Sequence, residues 1–238
     1  MSRFRYAVER LAAAQKSAKG VSLYSRYVNR PAGRLLAAAA YAARLTPNRV
    51  TALSAVSTFT GVALTALLPP SHALAVGVFA ALVVGFALDS ADGQLARLTG
   101  GGSAAGEWLD HVVDCAKTLA LHMAVLVAFH RHFDFSDPLL LLVPVAFQFA
   151  AVLIFFGGIL TEQLKRRAAA TTASAARPST LRSVLLLPVD YGVFCAVFLF
   201  LGNRELFTVL YCALLAVHLV FLVAFLVKWY RELSVPAR

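Results

Sequence analysis

The sequence predicts an all-α integral membrane fold: six transmembrane helices preceded by an amphipathic helix lying in the membrane interface. Three observations carry this. The 238-residue chain is 60% hydrophobic and only 14% charged, with a mean hydropathy of +0.73, whereas a soluble domain of this size carries more charge. Apolar runs of spanning length recur along it. Its Lys and Arg residues gather in alternate connections, as in a chain threaded back and forth through a bilayer.

Residues 1–30 are polar and basic, a cytoplasmic lead-in carrying Arg3, Arg5, Arg10, Lys16, Lys19, Arg26 and Arg30. Residues 31–45 are Ala-rich and strongly helix-favouring, with Arg34, Tyr41 and Arg44 near one face; this is the interfacial helix. The first span is expected over 47–68, capped by Thr46, with Pro47 in its first turn and Pro69-Pro70 after its end. The others are expected over 72–98, 103–130, 138–164, 181–201 and 205–230, with a cytoplasmic tail at 231–238. Residues 31–230 thus form one membrane domain.

The formal net charge is +10. The basic groups sit at the N-terminal segment, at Lys165, Arg166, Arg167, Arg177 and Arg182, and at Lys228 and Arg231. Both termini are therefore expected in the cytoplasm, in agreement with an even number of spans. The excess also suits anionic lipid headgroups or phosphorylated substrates. There is no nucleic-acid motif and no basic stripe interleaved with aromatics, so no nucleic-acid partner is expected. Cys115, Cys195 and Cys212 lie in apolar segments without CxxC spacing and read as core residues. The N-terminus has no uninterrupted signal-type apolar h-region before about residue 50, so a cleaved signal peptide is not expected.

The chemistry is concentrated in 89–114, DSADGQLARLTGGGSAAGEWLDHVVD. Asp89 and Asp92 are three apart and Asp110 and Asp114 four apart, so each pair faces one side of its helix. Gly100, Gly101 and Gly102 turn the chain between the two helices. From Ala73 to Leu88 runs a mostly apolar stretch about 24 Å long at the helical rise, against a hydrocarbon core of about 30 Å. Asp89 then lies near the cytoplasmic edge, and all four carboxylates line a pocket opening to the cytosol. Four ionised carboxylates so placed repel one another and are poorly solvated. Divalent cations remove both costs, and an all-oxygen donor set suits Mg²⁺ or Mn²⁺. Two such ions would clamp a diphosphate for displacement at phosphorus. Gly93, Ala96 and Gly106 leave room for a close approach, and Arg97 can engage a phosphate.

These residues match the signature D-x2-D-G-x2-A-R-x8-G-x3-D-x3-D at every fixed position: Asp89, Asp92, Gly93, Ala96, Arg97, Gly106, Asp110 and Asp114. On them the chain resembles the CDP-alcohol phosphotransferase family, and the six spans and interfacial helix are similar to that family over about 31–230. The resemblance implies that the four aspartates bind two divalent cations and that Asp114 is also the general base for the acceptor hydroxyl. It implies that Gly93, Ala96, Arg97, Ser103 and Gly106 surround the CDP moiety. Thr46–Thr51 (TPNRVT) resembles an element beside the nucleotide, adding Asn48 and Thr51. It further implies a CDP-linked donor, an alcohol acceptor, CMP as leaving group and a homodimer.

Other polar groups have two readings. Lys117 either pairs with Asp114 or snorkels. Glu107 reads as a solvated interface residue, and His111 as packed or hydrogen-bonded. Arg97 is also an adequate interfacial anchor, and Asn48 an ordinary first-turn residue. Asp190, just after Pro188 inside the fifth span, either binds acceptor hydroxyls or pairs with a base such as Arg182. Lys165, Arg166 and Arg182 either hold a phosphorylated acceptor or only set topology.

The leading expectation is transfer of a phosphatidyl group from CDP-diacylglycerol to a small polar alcohol, in phospholipid biosynthesis. Lys16–Pro31 (KSAKGVSLYSRYVNRP) loosely resembles the leader of relatives that use CDP-inositol, which makes that donor the second reading. An ion or solute transporter is the alternative of another class, but transport does not require the glycines and Arg97 at these intervals.

Overall fold

The computed structural model describes residues 2–13, 22–168, 184 and 186–234, and those residues form helices and connecting turns. The described part of residues 1–30 is largely helical. Helix α1 (Arg3–Ala13) turns Ala7 and Leu11, one helical turn apart, against α2 (Arg30–Ala42) and bury them there. Arg3 donates to the Tyr41 carbonyl and lies 5.0 Å from that ring's centroid. A π-turn over Ser25–Asn29 leads straight into α2. Helix α2 covers most of 31–45, stopping at Ala42 shortly before Arg44, which adopts φ 58°.

Four expected spans appear with ends within a few residues: α3 (Pro47–Leu67), α4 (His72–Thr99), α5 (Ala104–His132) and α6 (Leu142–Ala168), the last entered through a 3₁₀ turn at Pro138–Leu141. Side chains of Thr46, Ser71 and Ser103 cap α3, α4 and α5, taking up orphan amides. Gly100, at φ 63°, ends α4 in the left-handed conformation that glycine adopts without strain.

The fifth expected span is corrected. Among the described residues 181–201 is no continuous helix, but a 3₁₀ turn (Leu187–Val189), the short helix α7 (Tyr191–Val197) and a second 3₁₀ turn (Phe198–Phe200). Pro188 cannot donate a backbone hydrogen bond. Asp190, placed beyond the turn in extended conformation, caps α7 by accepting from the Gly192 amide at 2.7 Å. Arg182, and the stretch 169–180 expected to link these spans, lie outside the described residues. The final span is α8 (Arg204–Ser234). Five helices are therefore long and apolar enough to cross a membrane among the described residues, where six were expected.

Contacts fix the relative directions. Ser54 and Ser57 of α3 donate to the carbonyls of Gly85 and Ala81 of α4, so these helices run antiparallel. Helices α6 and α8 run parallel: Phe147 meets Tyr211 and His218, Gly157 meets Trp229, and Lys165 pairs with Glu232. The described part of the segment between them, 186–202, runs back along the bundle. It starts with Tyr191 against Phe86 and ends with Gly202 against Ser71 and His72, following the first half of α4 in reverse.

Two cores result. One joins Val78 and Leu82 of α4, Leu121 and Phe129 of α5, and Phe147, Phe198, Phe207 and Tyr211. The other packs α1 and α2 against Val50, Ala91 and Leu95. The α3–α4 contact is close because Gly85 has no side chain: a Cβ there would lie 2.2 Å from Thr58 Oγ1 and 3.2 Å from the Ser54 carbonyl. Gly85→Val is expected to destabilise the protein by about 1–3 kcal/mol, read as a lower melting temperature in detergent.

Candidate active site

Helices α3, α4 and α5 carry the site. Asp89, Asp92 and Asp110 each bring one carboxylate oxygen within 4.8 Å of the others. Asp92 is almost fully buried, and Thr51 Oγ1 donates to its Oδ2 at 2.6 Å. At an effective dielectric of ~20, each such pair of charges repels by about 3 kcal/mol or more. An arrangement of that cost fits a hard divalent cation, whose preferred donors are carboxylate oxygens.

The fourth expected ligand, Asp114, lies one turn further along α5 and faces a different partner. Lys117 Nζ donates to Asp114 Oδ1 at 3.0 Å and to Asp89 Oδ1 at 2.6 Å. Its third donor goes to Ser54 Oγ at 3.0 Å. With 7% of its surface exposed, Lys117 pairs with carboxylates and does not snorkel.

A cavity of about 550 Å³ opens beside this cluster. All seven residues expected around a nucleotide line it: Asn48, Thr51, Gly93, Ala96, Arg97, Ser103 and Gly106. Asp92 and Asp110 form part of its wall, as does Arg166 of α6. Gly106 lies against Asn48 and Ser103, so a side chain there would press on that wall. A smaller cavity of about 190 Å³ lies on the other side of the acids, lined by Asp89, Asp114, Lys117, Thr118 and Tyr191 among others.

The remaining candidates sit elsewhere or are engaged. Lys165 pairs with Glu232. Arg166 binds Glu107 at 2.8 Å and Glu162 at 2.6 Å, so Glu107 is an interhelical ion-pair partner and not only a solvated residue. Asp190 accepts from Ser22 Oγ, from Ser25 Oγ at 2.6 Å and from the Gly192 amide. It ties the segment before α2 to the start of α7. His111 stands 3.8 Å from Asp110 and 3.9 Å from Glu107.

Sequence reasoning missed Ser54, which is fully buried and links Lys117 to the Gly85 carbonyl. Its signal was a stripe of hydroxyls at helical spacing, Thr51, Ser54, Thr58 and Thr65, all buried along α3.

A family model described as CDP-alcohol phosphatidyltransferase matches residues 44–224. The chain belongs to this family. It is an integral membrane transferase of substituted phosphate groups, and the transporter reading falls. Among solved structures, the chain is similar to a Mycobacterium tuberculosis phosphatidylinositol phosphate synthase crystallised with CDP-DAG bound. The TM-score is 0.58 at 19% identity, over 85% of this chain and 94% of that one. At that identity the likeness speaks for the fold. No curated protein matches the chain significantly.

Proposed function

We propose that the protein transfers a phosphatidyl group from CDP-diacylglycerol to a small polar alcohol and releases CMP. The observation that carries this is the cavity of about 550 Å³ in which the seven expected nucleotide-side residues meet Asp92 and Asp110. The fold neighbour's bound CDP-DAG supports the choice of donor. In this reading Asp89, Asp92 and Asp110 hold Mg²⁺ or Mn²⁺. Such an ion supplies Lewis-acid neutralisation of the diphosphate.

The chain's own groups do the rest. Arg97, on the cavity wall, engages the donor's phosphates as a delocalised cation. Gly93 and Gly106 let the nucleotide approach the backbone. Thr51 holds Asp92 in orientation. Asp114 accepts the acceptor's hydroxyl proton, the acceptor oxygen bonds to the phosphorus bearing the lipid, and the bond from that phosphorus to CMP breaks.

The Lys and Arg placement supports a cytoplasmic site and cytoplasmic termini, with α2 at the interface. The returning segment 186–202 is then a sixth, broken crossing. It is tolerated because α4, α5 and α8 cover it. The test is CMP release by purified protein with Mg²⁺ or Mn²⁺. Release from CDP-diacylglycerol on adding one alcohol of a panel is expected. Release from CDP-inositol alone would replace the donor, and no release from either would overturn the reading.

A further inference from the structure

Lys117 is an unusual neighbour for a metal centre. A buried ammonium is retained when all its donors are satisfied, and Lys117 meets that condition with three partners on three helices: Ser54 of α3, Asp89 of α4 and Asp114 on its own α5. Ser54 is itself fixed by donating to the Gly85 carbonyl. The ammonium therefore has a built seat at the point where a second ion shared by Asp89 and Asp114 would have to bind. Divalent Mg²⁺ requires oxygens at about 2.0–2.1 Å, and an ion bridging these same oxygens would crowd Nζ, which is only 2.6 Å and 3.0 Å from them.

We infer that Lys117 replaces a second metal ion: the centre holds one divalent cation on Asp89, Asp92 and Asp110, and the Lys117 ammonium bridges Asp89 to Asp114. The inference rests on the metal-dependent transfer proposed above. Asp89 serves both neighbours because a carboxylate has two oxygens. Asp114 is left off the metal, with Oδ1 held by Lys117, and takes the acceptor's hydroxyl proton. Lys117 is thus a positioning residue. It orients the base and supplies, as one fixed charge, part of the compensation that a second ion would bring.

The experiment is equilibrium dialysis of the purified full-length chain in detergent against Mn²⁺ alone, counting bound ions at saturation. About one ion is expected for the protein as it stands and for Lys117→Arg, and about two for Lys117→Met, where the ammonium's seat becomes free. Asp114→Asn is expected to keep both the count and the affinity. Two ions in the unaltered protein would overturn the inference, as would a folded Lys117→Met protein that still binds one. Should Lys117→Met not fold, Asp114→Asn decides: a tenfold or greater loss of Mn²⁺ affinity makes Asp114 a ligand and ends the inference. Two bound ions alongside CMP release would remove only this inference, whereas no Mn²⁺ binding and no CMP release would remove the proposed function itself.

Discussion

Asp114→Asn is expected to lower CMP release by about 10²–10⁴-fold, the usual contribution of a positioned general base. The change preserves volume, and the side chain is already partnered, so the fold should persist. Lys117 keeps its 2.6 Å contact to Asp89 and its bond to Ser54, and the Asp89, Asp92 and Asp110 cluster does not include the altered residue. Removing the carboxylate leaves the acceptor hydroxyl with no group to take its proton. Single-turnover CMP release with saturating acceptor measures this. Unchanged release would end the assignment of Asp114 as base.

Why Asp114 falls outside the cluster of Asp89, Asp92 and Asp110 was only partly legible in the sequence. The spacings of three and four residues announce two acid pairs on two helices, and the eight signature positions announce their company. The Asp114–Lys117 contact is also within reach of sequence reasoning, being one turn along a helix. The Asp89–Lys117 contact is not. It joins residues 28 apart on different helices, and its geometry depends on how α4 and α5 sit across α3. A lysine after an acid pair reads equally well as a snorkelling side chain until its burial is known.

The broken return between α6 and α8 shows the same limit. Residues 181–201 are apolar and long enough to span, and Pro188 alone signals no more than a kink. What interrupts the helix is tertiary. Asp190 turns its carboxylate to α7 and to Ser22 and Ser25, more than 160 residues away in sequence. The Tyr24 ring lies over Gly192 so closely that a Cβ there would fall 2.0 Å from it. Ser22, Tyr24 and Ser25 thus pack against the start of α7. Composition hid α1 for a related reason: its packed face is Ala7 and Leu11 with the partly buried Val8, enough against an alanine-rich partner but inconspicuous among arginines.

Asp92→Asn is expected to separate the two demands that the acid cluster makes. In the metal-free protein Asp92 is an almost fully buried carboxylate crowded by Asp89 and Asp110 and relieved by one hydroxyl, Thr51. Neutralising it removes repulsion, so the metal-free melting temperature should stay level or rise. The same change removes a ligand, so the rise in melting temperature on adding Mn²⁺ should shrink or vanish. CMP release should fall by about 10²–10³-fold, equivalent to the loss of roughly 3–4 kcal/mol of transition-state charge stabilisation. A purely structural Asp92 cannot give both thermal results. An acid kept only for packing or capping would destabilise the metal-free protein when replaced and leave the Mn²⁺ shift intact. An acid kept for metal costs stability in the empty centre and returns it only on binding, which is the behaviour expected of three carboxylates held within 4.8 Å of one another.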